Sequence, residues 1–363
     1  MKILVLKPSS LGDVVQALPV ARLLRRHFPH AEIHWWLNRE LAPLLEPDPD
    51  LQRIIPFDRK RWGTPVGWPA ALASIREIRR EHYDWVIDLQ GLARSGLVAW
   101  FAQGGLTAGL DDSREGAPAF YDVAVSRPSY RTHAVDWYLE LLRQLGVPVA
   151  GDFEWLPPNK AAATVLASVW PANGERWIAL QPGARWLNKR WPVENFAALA
   201  RQLLAYDPLV RVVVLGSEAD RPLGAQIGTA AGEGCLDLTG RLSLLGVVEW
   251  LRRCALMVTN DTGPMHIAAA LGRPVLALFG PTEPTRTGPY GQLAHVLRMD
   301  LPCAPCMKST CAHAEPLACL KALTVDRVFQ AAVAQLGAEV NAKLKLHSSK
   351  PETPGPGTSG GPG

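Results

Sequence analysis

The stretch Lys7-Pro8-Ser9-Ser10-Leu11-Gly12-Asp13 follows the apolar run Ile3-Leu4-Val5-Leu6 and opens a segment with the apolar spacing of a helix. Near the other end of the chain, Asn260-Asp261-Thr262-Gly263-Pro264-Met265-His266 follows the run Leu256-Met257-Val258-Thr259 in the same way. A strand that leads through a turn into a helix leaves backbone N–H groups free and directs the positive end of the helix dipole at the turn. Two such turns, one in each half of the chain, predict two α/β domains that face each other across a cleft. Such a cleft suits an enzyme that joins an anionic acceptor to a group carried by a nucleotide.

Length and composition indicate a globular protein of two domains. The 363 residues exceed the size at which a single hydrophobic core stops growing, and 48% of them are hydrophobic while 20% are charged. Every apolar run is shorter than the roughly 20 residues that a membrane span needs, and the apolar start is too short for a signal peptide. We therefore expect a cytoplasmic protein. We expect an N-terminal domain over residues 1–165, a C-terminal domain over residues 166–345 and a disordered Gly/Pro/Ser-rich tail over residues 346–363.

Short apolar runs alternate with helical patterns along both halves of the chain, which predicts mostly parallel sheets covered by helices on both faces. Strands are predicted at residues 2–7, 31–37, 53–57, 84–89, 105–110, 177–181, 210–215, 255–259 and 275–279. Helices are predicted at residues 13–27, 69–82, 95–103, 134–145, 193–205, 219–231, 243–253, 264–271 and 324–337. The stretch 156–174 has little order in its pattern and is expected to contain the domain boundary.

Asp13 is the first candidate for chemistry, because it lies at the carboxyl end of a predicted strand, where open α/β sheets bind ligands. A carboxylate there can take a proton from an acceptor hydroxyl, with Ser9, Ser10 and the backbone of Gly12 as positioning donors. The alternative is structural, since aspartate at this point also caps a helix. Spacing alone leaves both open.

The turn at residues 260–266 has more of the features of an anion site. Thr262 offers a hydroxyl and Gly263 a backbone N–H at a helix N-terminus, and Pro264 suits the first helical position because no N–H is needed there. His266 lies on the first turn of this helix. It is either a contact of the same anion or a structural histidine.

Two further loops follow predicted strands and carry charged side chains. The loop after Leu180-Gln181 leads to Lys189, whose point charge can neutralise a diphosphate leaving group. The loop at residues 216–220 carries Asp220, whose carboxylate can hold ribose hydroxyls. No G-x-G-x-x-G follows any predicted strand, which disfavours a nicotinamide enzyme.

Other clusters are open to more than one interpretation. Cys303, Cys306, Cys311 and Cys319 have a spacing that permits a zinc site, a redox-labile pair or packed free thiols, and stable disulfides are not expected in the cytoplasm. The basic groups at residues 59–61 and 76–80 are either solvated faces or contacts of anionic lipid or substrate. Trp62 and Trp186 lie in basic polar loops and are candidates for sugar stacking.

Six short motifs stand in order along the chain. They are K-P-S-S-L-G-D at 7–13, D-L-Q-G-L-A-R-S-G at 88–96, H-A-V-D at 133–136, K-R-W-P at 189–192, N-D-T-G-P-M-H at 260–266 and F-G-P-T at 279–282. This set resembles the ADP-heptose:lipopolysaccharide heptosyltransferases of glycosyltransferase family 9, over roughly residues 1–340. The resemblance implies a GT-B fold, in which two Rossmann-like domains face each other. It also implies inverting transfer of a heptosyl group without a metal ion or another cofactor.

The resemblance further implies roles for individual residues. Asp13 would be the general base that deprotonates the acceptor hydroxyl, and Lys189 would act on the departing diphosphate. Asp220 would hold the ribose and Leu242 would line the adenine pocket. The full set of donor-binding residues is Gly183, Ala184, Arg185, Lys189, Asp220, Leu242, Asp261, Thr262, Gly263, Pro264 and His266. The expected acceptor-binding residues are Lys7, Ser9, Ser10, Gly12, Lys60, Arg61 and Arg114.

The expected substrates are an ADP-heptose donor and a lipid A-linked sugar acceptor. The protein is expected to be a monomer that binds peripherally at the cytoplasmic leaflet of the inner membrane, and no nucleic acid is expected as a partner. Two acceptors remain possible, Kdo-lipid A and heptosyl-Kdo-lipid A. The Cys303–Cys319 segment is similar to the second heptosyltransferase, whereas Arg114 and Lys60-Arg61-Trp62 are similar to the first. The loop Gly183-Ala184-Arg185 departs from relatives that carry hydroxyl residues there. Two alternatives are a relative with another nucleotide sugar or acceptor and a non-catalytic nucleotide- or glycan-binding protein.

Overall fold

The computed structural model describes residues 1–62, 64–112, 115–171 and 173–348, which form two six-stranded sheets with helices on both faces. The strands are β1 (Lys2–Leu6), β2 (Glu32–Asn38), β3 (Arg53–Phe57), β4 (Trp85–Asp88), β5 (Leu106–Asp111), β6 (Val123–Ser126), β7 (Arg176–Gln181), β8 (Val210–Val214), β9 (Cys235–Asp237), β10 (Leu256–Asn260), β11 (Val275–Phe279) and β12 (Val296–Arg298). The helices are α1 (Leu11–His27), α2 (Ala42–Leu45), α3 (Arg59–Trp62), α4 (Trp68–Arg80), α5 (Ala93–Ala102), α6 (Ala134–Gln144), α7 (Lys160–Val169), α8 (Val193–Tyr206), α9 (Arg221–Ala231), α10 (Leu244–Arg253), α11 (Gly263–Ala270), α12 (Pro284–Thr287), α13 (Ala318–Lys321) and α14 (Val325–Ser348). Single turns of 3-10 helix cover Arg39–Leu41, Pro65–Gly67, Ala117–Phe120, Leu187–Lys189, Glu218–Asp220 and Leu293–His295. The predicted α/β class is confirmed.

Both sheets have the same topology. The strand orders are β3-β2-β1-β4-β5-β6 and β12-β11-β10-β7-β8-β9, and the strand pairs are parallel. In each sheet the order reverses beside the first strand, between β1 and β4 and between β7 and β10. Ligands of open α/β sheets bind at the carboxyl ends of strands at such a reversal. Asp13, Lys189 and Asp261 follow β1, β7 and β10, so the topology directs all three to the place where a ligand is expected.

Strand β1 shows why the first sheet is recognisable from sequence. Ile3 and Val5 belong to the core that includes α1 and α6, whereas Leu4 and Leu6 belong to the core on the other face, beneath α4 and α5. All four side chains are fully buried. Because successive side chains of a strand point to opposite faces, a strand covered on both sides is apolar at every position.

Three strands and five helices of the described residues are absent from the sequence prediction, and four of those helices, α2, α3, α12 and α13, have only four residues each. Strands β6, β9 and β12 are edge strands of three or four residues, so they leave too little pattern to detect. Helix α7 occupies the stretch predicted to have little order, and this prediction is wrong. Asn159 caps α7 by accepting a hydrogen bond of 2.9 Å from the N–H of Ala162, and the helix packs against α10.

The position of α7 bears on the division into domains. The expected boundary at residue 165 falls inside α7, and this helix packs against α10 of the second half. A boundary before Lys160 keeps the helix intact. Helix α14 also stays with the second sheet, where Val328, Ala332 and Leu336 are buried beside α8. Residues 349–363 of the expected tail lie outside the described residues.

Hydrogen bonds join the two halves at the H-A-V-D motif. Nε2 of His133 lies 3.0 Å from the carbonyl oxygen of Gly288, and the hydroxyl of Tyr290 donates to Asp136 at 2.7 Å. The motif therefore holds the second half of the chain against α6. None of the helices in the described part of the chain combines the length and apolar character that a membrane crossing requires.

Candidate active site

The N-termini of α1 and α11 meet at a cavity of about 430 Å³ between the two sheets. The loop that follows β7 forms another part of its wall. The lining residues are Ser10, Leu11, Gly12, Asp13, Gln16, Arg185, Trp186, Lys189, Asp261, Thr262, Gly263, Pro264, His266 and Thr287. The structure therefore brings Asp13, Ser10 and Gly12 together with most of the predicted donor residues.

Asp13 lies in the first turn of α1 and faces this cavity. Its Oδ2 accepts hydrogen bonds from the backbone N–H and the hydroxyl of Ser10, at 2.8 and 2.6 Å. Burial raises the pKa of the carboxyl, but the charge of Lys7 and the Ser10 hydrogen bonds outweigh it, so the pKa lies below its ordinary value. Within the described residues Oδ1 has no hydrogen-bond partner. Asp13 thus caps the helix with one oxygen and leaves the other available to a ligand.

Gly12 and Gly263 allow the two helix N-termini to approach each other. A Cβ atom at Gly12 would lie 2.3 Å from Cδ2 of His266, and one at Gly263 would lie 2.8 Å from Cδ2 of Leu11. Both glycines lie within helices, so neither is required by a turn conformation. The sequence interpretation of turn glycines is corrected: these two residues are needed for close packing across the cleft.

Replacing Gly12 with alanine should destabilise the contact between α1 and α11, because the new methyl group would collide with the buried imidazole of His266. Overpacking of this kind costs about 1–3 kcal/mol. We expect a lower midpoint of denaturant unfolding for Gly12→Ala. In a His266→Ala background the same substitution should cost much less, and an equal loss in both backgrounds would contradict this explanation.

Lys189 and Asp261 form an ion pair in the cavity wall. Nζ of Lys189 lies 2.6 Å from Oδ2 of Asp261, and the hydroxyl of Thr282 donates to the same oxygen at 2.6 Å. Nζ also lies 4.7 Å from the ring centre of Trp186. The ammonium group is therefore fixed beside the N-terminus of α11, where both its charge and the helix dipole favour an anion.

Asn260 joins the two loops that form this wall, a role that the sequence reasoning missed. Its Nδ2 donates to the carbonyl of Pro182 at 2.7 Å, and its Oδ1 accepts from the N–H of Trp191 at 3.0 Å. The residue is fully buried at the end of β10. It thereby fixes the loop that carries Lys189 against the end of β10, directly before Asp261.

His266 is buried on the first turn of α11. Burial lowers the pKa of the imidazole to about 4, although the nearby carboxylates of Asp261 and Asp13 raise it. The imidazole is therefore neutral at pH 7. It can offer a hydrogen bond to a ligand in the cavity but not a positive charge.

The buried imidazole of His266 should make the free energy of unfolding depend on pH between 6.5, its ordinary pKa, and about 4. The unfolded chain binds a proton there that the folded protein does not, so stability is full above pH 6.5 and is lost as the pH falls towards 4. His266→Gln should reduce the slope by up to about 1.4 kcal/mol per pH unit. Denaturant unfolding across this range measures the slope, and an unchanged slope would contradict the assignment.

A second cavity, of about 520 Å³, adjoins the first and shares Leu11, Arg185, Thr262 and Pro264 with it. Predicted donor residues in its wall are Gly183, Ala184, Arg185, Asp220, Leu242, Thr262 and Pro264. Leu242 lines this cavity together with Leu244 and Val247, which gives one side of it an apolar character suited to a nucleobase.

Asp220 repeats the arrangement seen at Asp13. Its Oδ2 accepts hydrogen bonds from the N–H and hydroxyl of Ser217 at 2.9 and 2.7 Å, and its Oδ1 lies 3.6 Å from Arg190. A Cβ atom at Gly183 would lie 2.4 Å from Oδ1, so only glycine leaves room for this carboxylate. The structure brings Gly183 and Asp220 into contact, as a shared donor site requires.

Lys7 does not line the cavity. It is 4% exposed, and its Nζ donates to the carbonyl of Leu89 at 2.8 Å and lies 5.1 Å from the ring centre of Tyr138. Direct contact with an acceptor, as expected from the resemblance, does not fit this geometry. The charge of Lys7 instead acts through the interior, where it lowers the pKa of Asp13.

Three other predicted acceptor residues, Ser9, Lys60 and Arg61, also lie outside the cavity wall. Ser9 is half-buried, and Lys60 and Arg61 are exposed on α3. Nζ of Lys60 lies 3.1 Å from Glu40, which lines the second cavity, so Lys60 stands at the rim. Arg114 lies outside the described residues.

The two tryptophans proposed for stacking differ. Trp186 lines the first cavity, as a sugar-stacking residue should. Trp62 instead packs with Trp36 and Phe57, at ring-centre distances of 5.9 and 5.4 Å. Its stacking role is not supported.

The four clustered cysteines line a separate cavity of about 230 Å³ together with His313. All four are free thiols, and among the described residues no three His, Cys, Asp or Glu side chains are arranged to hold a metal ion. Two hydrogen bonds hold the loop that carries these cysteines close to the Lys189–Asp261 ion pair. Asn188 donates to the carbonyl of Lys308 at 2.9 Å, and the N–H of Met307 donates to Pro281 at 2.7 Å.

Gln16 is a cavity residue that the sequence reasoning missed. It lies one turn after Asp13 on α1 and is 2% exposed, and its Nε2 has no hydrogen-bond partner among the described residues. A buried amide without a partner is costly, so a ligand hydroxyl is a fitting acceptor for this N–H. The sequence contained one indication of this position, because a residue three places after Asp13 lies on the same face of a helix.

The profile of glycosyltransferase family 9 (heptosyltransferase) matches residues 71–316. Lipopolysaccharide heptosyltransferase 1 of Pseudomonas aeruginosa is 33% identical over 86% of this chain and 88% of its own length.

Two solved structures support the same assignment. ADP-heptose lipopolysaccharide heptosyltransferase II of Escherichia coli superimposes with a TM-score of 0.75 and 26% identity, over 94% of this chain and 100% of that one. An E. coli heptosyltransferase with ADP-2-deoxy-2-fluoro heptose has a TM-score of 0.70 and 26% identity, over 91% of this chain and 98% of that one. These matches confirm the predicted GT-B fold. The chain belongs to glycosyltransferase family 9, the heptosyltransferase family.

Proposed function

We propose that this protein transfers a heptosyl group from ADP-heptose to the lipid A-linked inner core of lipopolysaccharide, at the cytoplasmic face of the inner membrane. The observation that carries the proposal is the cavity in which Asp13 of the first half faces the Lys189–Asp261 pair of the second. The cavity thus has a carboxylate from one half of the chain and, from the other half, a lysine beside a helix N-terminus.

The donor spans both cavities in this proposal. The adenosine occupies the second cavity, with its base against Leu242 and its ribose near Asp220. The diphosphate lies where the cavities join, at Thr262 and the N-terminus of α11. Two observations support this position of the donor. The two cavities share wall residues, and an E. coli relative has a solved structure with an ADP-heptose analogue.

Transfer proceeds as a single displacement with inversion. Oδ1 of Asp13 takes the proton of the acceptor hydroxyl, and the acceptor oxygen forms a bond to the anomeric carbon. The bond from that carbon to the β-phosphate oxygen breaks, and ADP leaves with the electron pair. Lys189 and the positive end of the α11 dipole stabilise the charge that develops on the diphosphate, without requiring a metal ion.

The acceptor is an anionic sugar attached to lipid A, either Kdo or a heptose already linked to Kdo. Arg185 in the cavity wall and Lys60 at the rim provide positive charge for it. Heptosyltransferases 1 and 2 both occur among the relatives, which supports a heptosyl donor. Because the two types do not distinguish the acceptors, each acceptor is tested separately.

The test is incubation of the protein with ADP-heptose and each defined acceptor, with ADP release and acceptor mass measured together. We expect one ADP for each heptosyl group gained by one of the two acceptors. Turnover with a different nucleotide sugar only would overturn the donor assignment. Donor binding without turnover on any acceptor would favour a non-catalytic binding protein.

A further inference from the structure

We infer that the outer face of the α4–α5 layer docks on an anionic phospholipid surface. We define the α4–α5 face by its exposed apolar side chains Val66, Trp68, Leu72, Leu97 and Trp100. The inference rests on the proposed function in that a lipid-linked acceptor gives the protein a reason to meet a membrane.

Each of the five apolar side chains that define this face is largely exposed. Val66 is 80% exposed, Trp68 is 59% exposed and Trp100 is 55% exposed. Helices α4 and α5 lie side by side on one face of the first sheet, because Ile78 and Val98 pack into the same core beneath them. Single exposed apolar residues need no explanation, but five of them on two neighbouring helices and the turn before the first, with two tryptophans, mark an interaction site.

Positive charge surrounds the apolar residues. Trp68, Leu72, Arg76 and Arg79 follow the spacing of a single helical stripe, and Arg80 adjoins it. The guanidinium groups of Arg76, Arg79 and Arg80 are exposed and make no ion pair within the described ranges. The acidic Glu77 of the same helix is paired with Arg53. An amphipathic helix with tryptophan and arginine on one side is typical of binding to anionic lipid at the membrane interface.

The position of the face relative to Asp13 fits this role. Helix α4 begins after the carboxyl end of β3, and α5 begins after the carboxyl end of β4. In a parallel sheet these ends lie at the same edge as the end of β1, which Asp13 follows. The Trp68 end of α4 therefore lies on the edge where the acceptor must enter, next to the exposed basic residues of α3.

The tests use the full-length protein and two sets of variants. The first set carries Trp68→Ser with Leu72→Ser, or Arg76→Glu with Arg79→Glu. The matched control carries Val165→Ser with Val169→Ser, which removes equally exposed apolar residues from α7 on the second sheet. Sedimentation with phosphatidylcholine vesicles, with and without phosphatidylglycerol, measures binding.

We expect the wild type and the α7 control to sediment with phosphatidylglycerol vesicles, and less so as salt increases. Both α4 variants should bind about tenfold or more weakly. Failure of the wild type to bind, or equal binding by the α4 variants, would overturn the inference. Self-association of the wild type that the α4 variants abolish, without any vesicle binding, would also overturn it and would indicate a protein interface.

A second readout separates this inference from the proposed function. Transfer to a water-soluble acceptor sugar, freed of its acyl chains, should be equal in all variants, whereas transfer to vesicle-embedded acceptor should fall in the α4 variants. Vesicle binding that depends on Trp68 and Arg76, in a protein that transfers to no acceptor, would support the docking face and refute the proposed function.

Discussion

Replacing Asp13 with asparagine should reduce kcat for heptosyl transfer by about 10²–10⁴-fold, because the amide cannot take the proton of the acceptor hydroxyl. The amide still fills the same space beside Ser10 and Gly12, so the affinity for ADP-heptose should stay close to that of the wild type. Initial rates at saturating donor and acceptor, together with calorimetric donor binding, measure the two effects. Undiminished turnover in Asp13→Asn would refute the proposed role of this residue.

Two control variants separate proton transfer from positioning. Glu46→Gln makes the same chemical change at an exposed carboxylate of the first half and should leave the rate unchanged. Ser10→Ala removes the hydroxyl that donates to Oδ2 of Asp13 at 2.6 Å. It should cause a smaller loss than Asp13→Asn, since the carboxylate remains. A loss as large as that of Asp13→Asn would indicate that the main role of Asp13 is to hold the helix end.

Replacing Lys189 with methionine should reduce kcat/KM by about 10²–10³-fold, the loss typical of removing one group that stabilises developing negative charge. The effect has two causes. The leaving diphosphate loses a positive charge, and Asp261 is left as an unpaired carboxylate in the wall that must bind the diphosphate. Steady-state kinetics and calorimetric binding of ADP measure both.

Lys189→Arg should retain more activity than Lys189→Met because it keeps the charge. Lys160→Met, which removes an exposed lysine from α7, should behave as the wild type. Unchanged ADP affinity and unchanged kcat/KM in Lys189→Met would show that the diphosphate binds elsewhere.

The fold could be predicted because its central strands are buried on both faces. Runs such as Ile3–Leu6 and Leu256–Val258 are apolar at every position, and the polar turns after them mark the carboxyl edge of each sheet. The same logic made Asp13, Lys189 and Asp261 candidates for chemistry, since all three lie in loops or turns that follow predicted strands. The structure adds that these strands lie beside a reversal of strand order.

The rest of the site depends on contacts between residues far apart in sequence, which local pattern does not encode. Gly12 matters because His266 packs on it from the other half of the chain. The interior position of Lys7 depends on Leu89 and Tyr138, which come from two other elements. Asn260 and Gln16 are ordinary residues in sequence and gain their roles from the loops and the cavity that surround them.

The proposed reaction is a single displacement across the cleft, with Asp13 as base and ADP as leaving group. The most direct measurement is the anomeric configuration of the heptosyl group in the product, determined by NMR after a single turnover on the acceptor that the protein uses. We predict a configuration opposite to that of the donor, with one ADP released for each heptosyl group transferred. Retention of configuration would contradict a single displacement, and ADP release without a heptosylated acceptor would contradict heptosyl transfer.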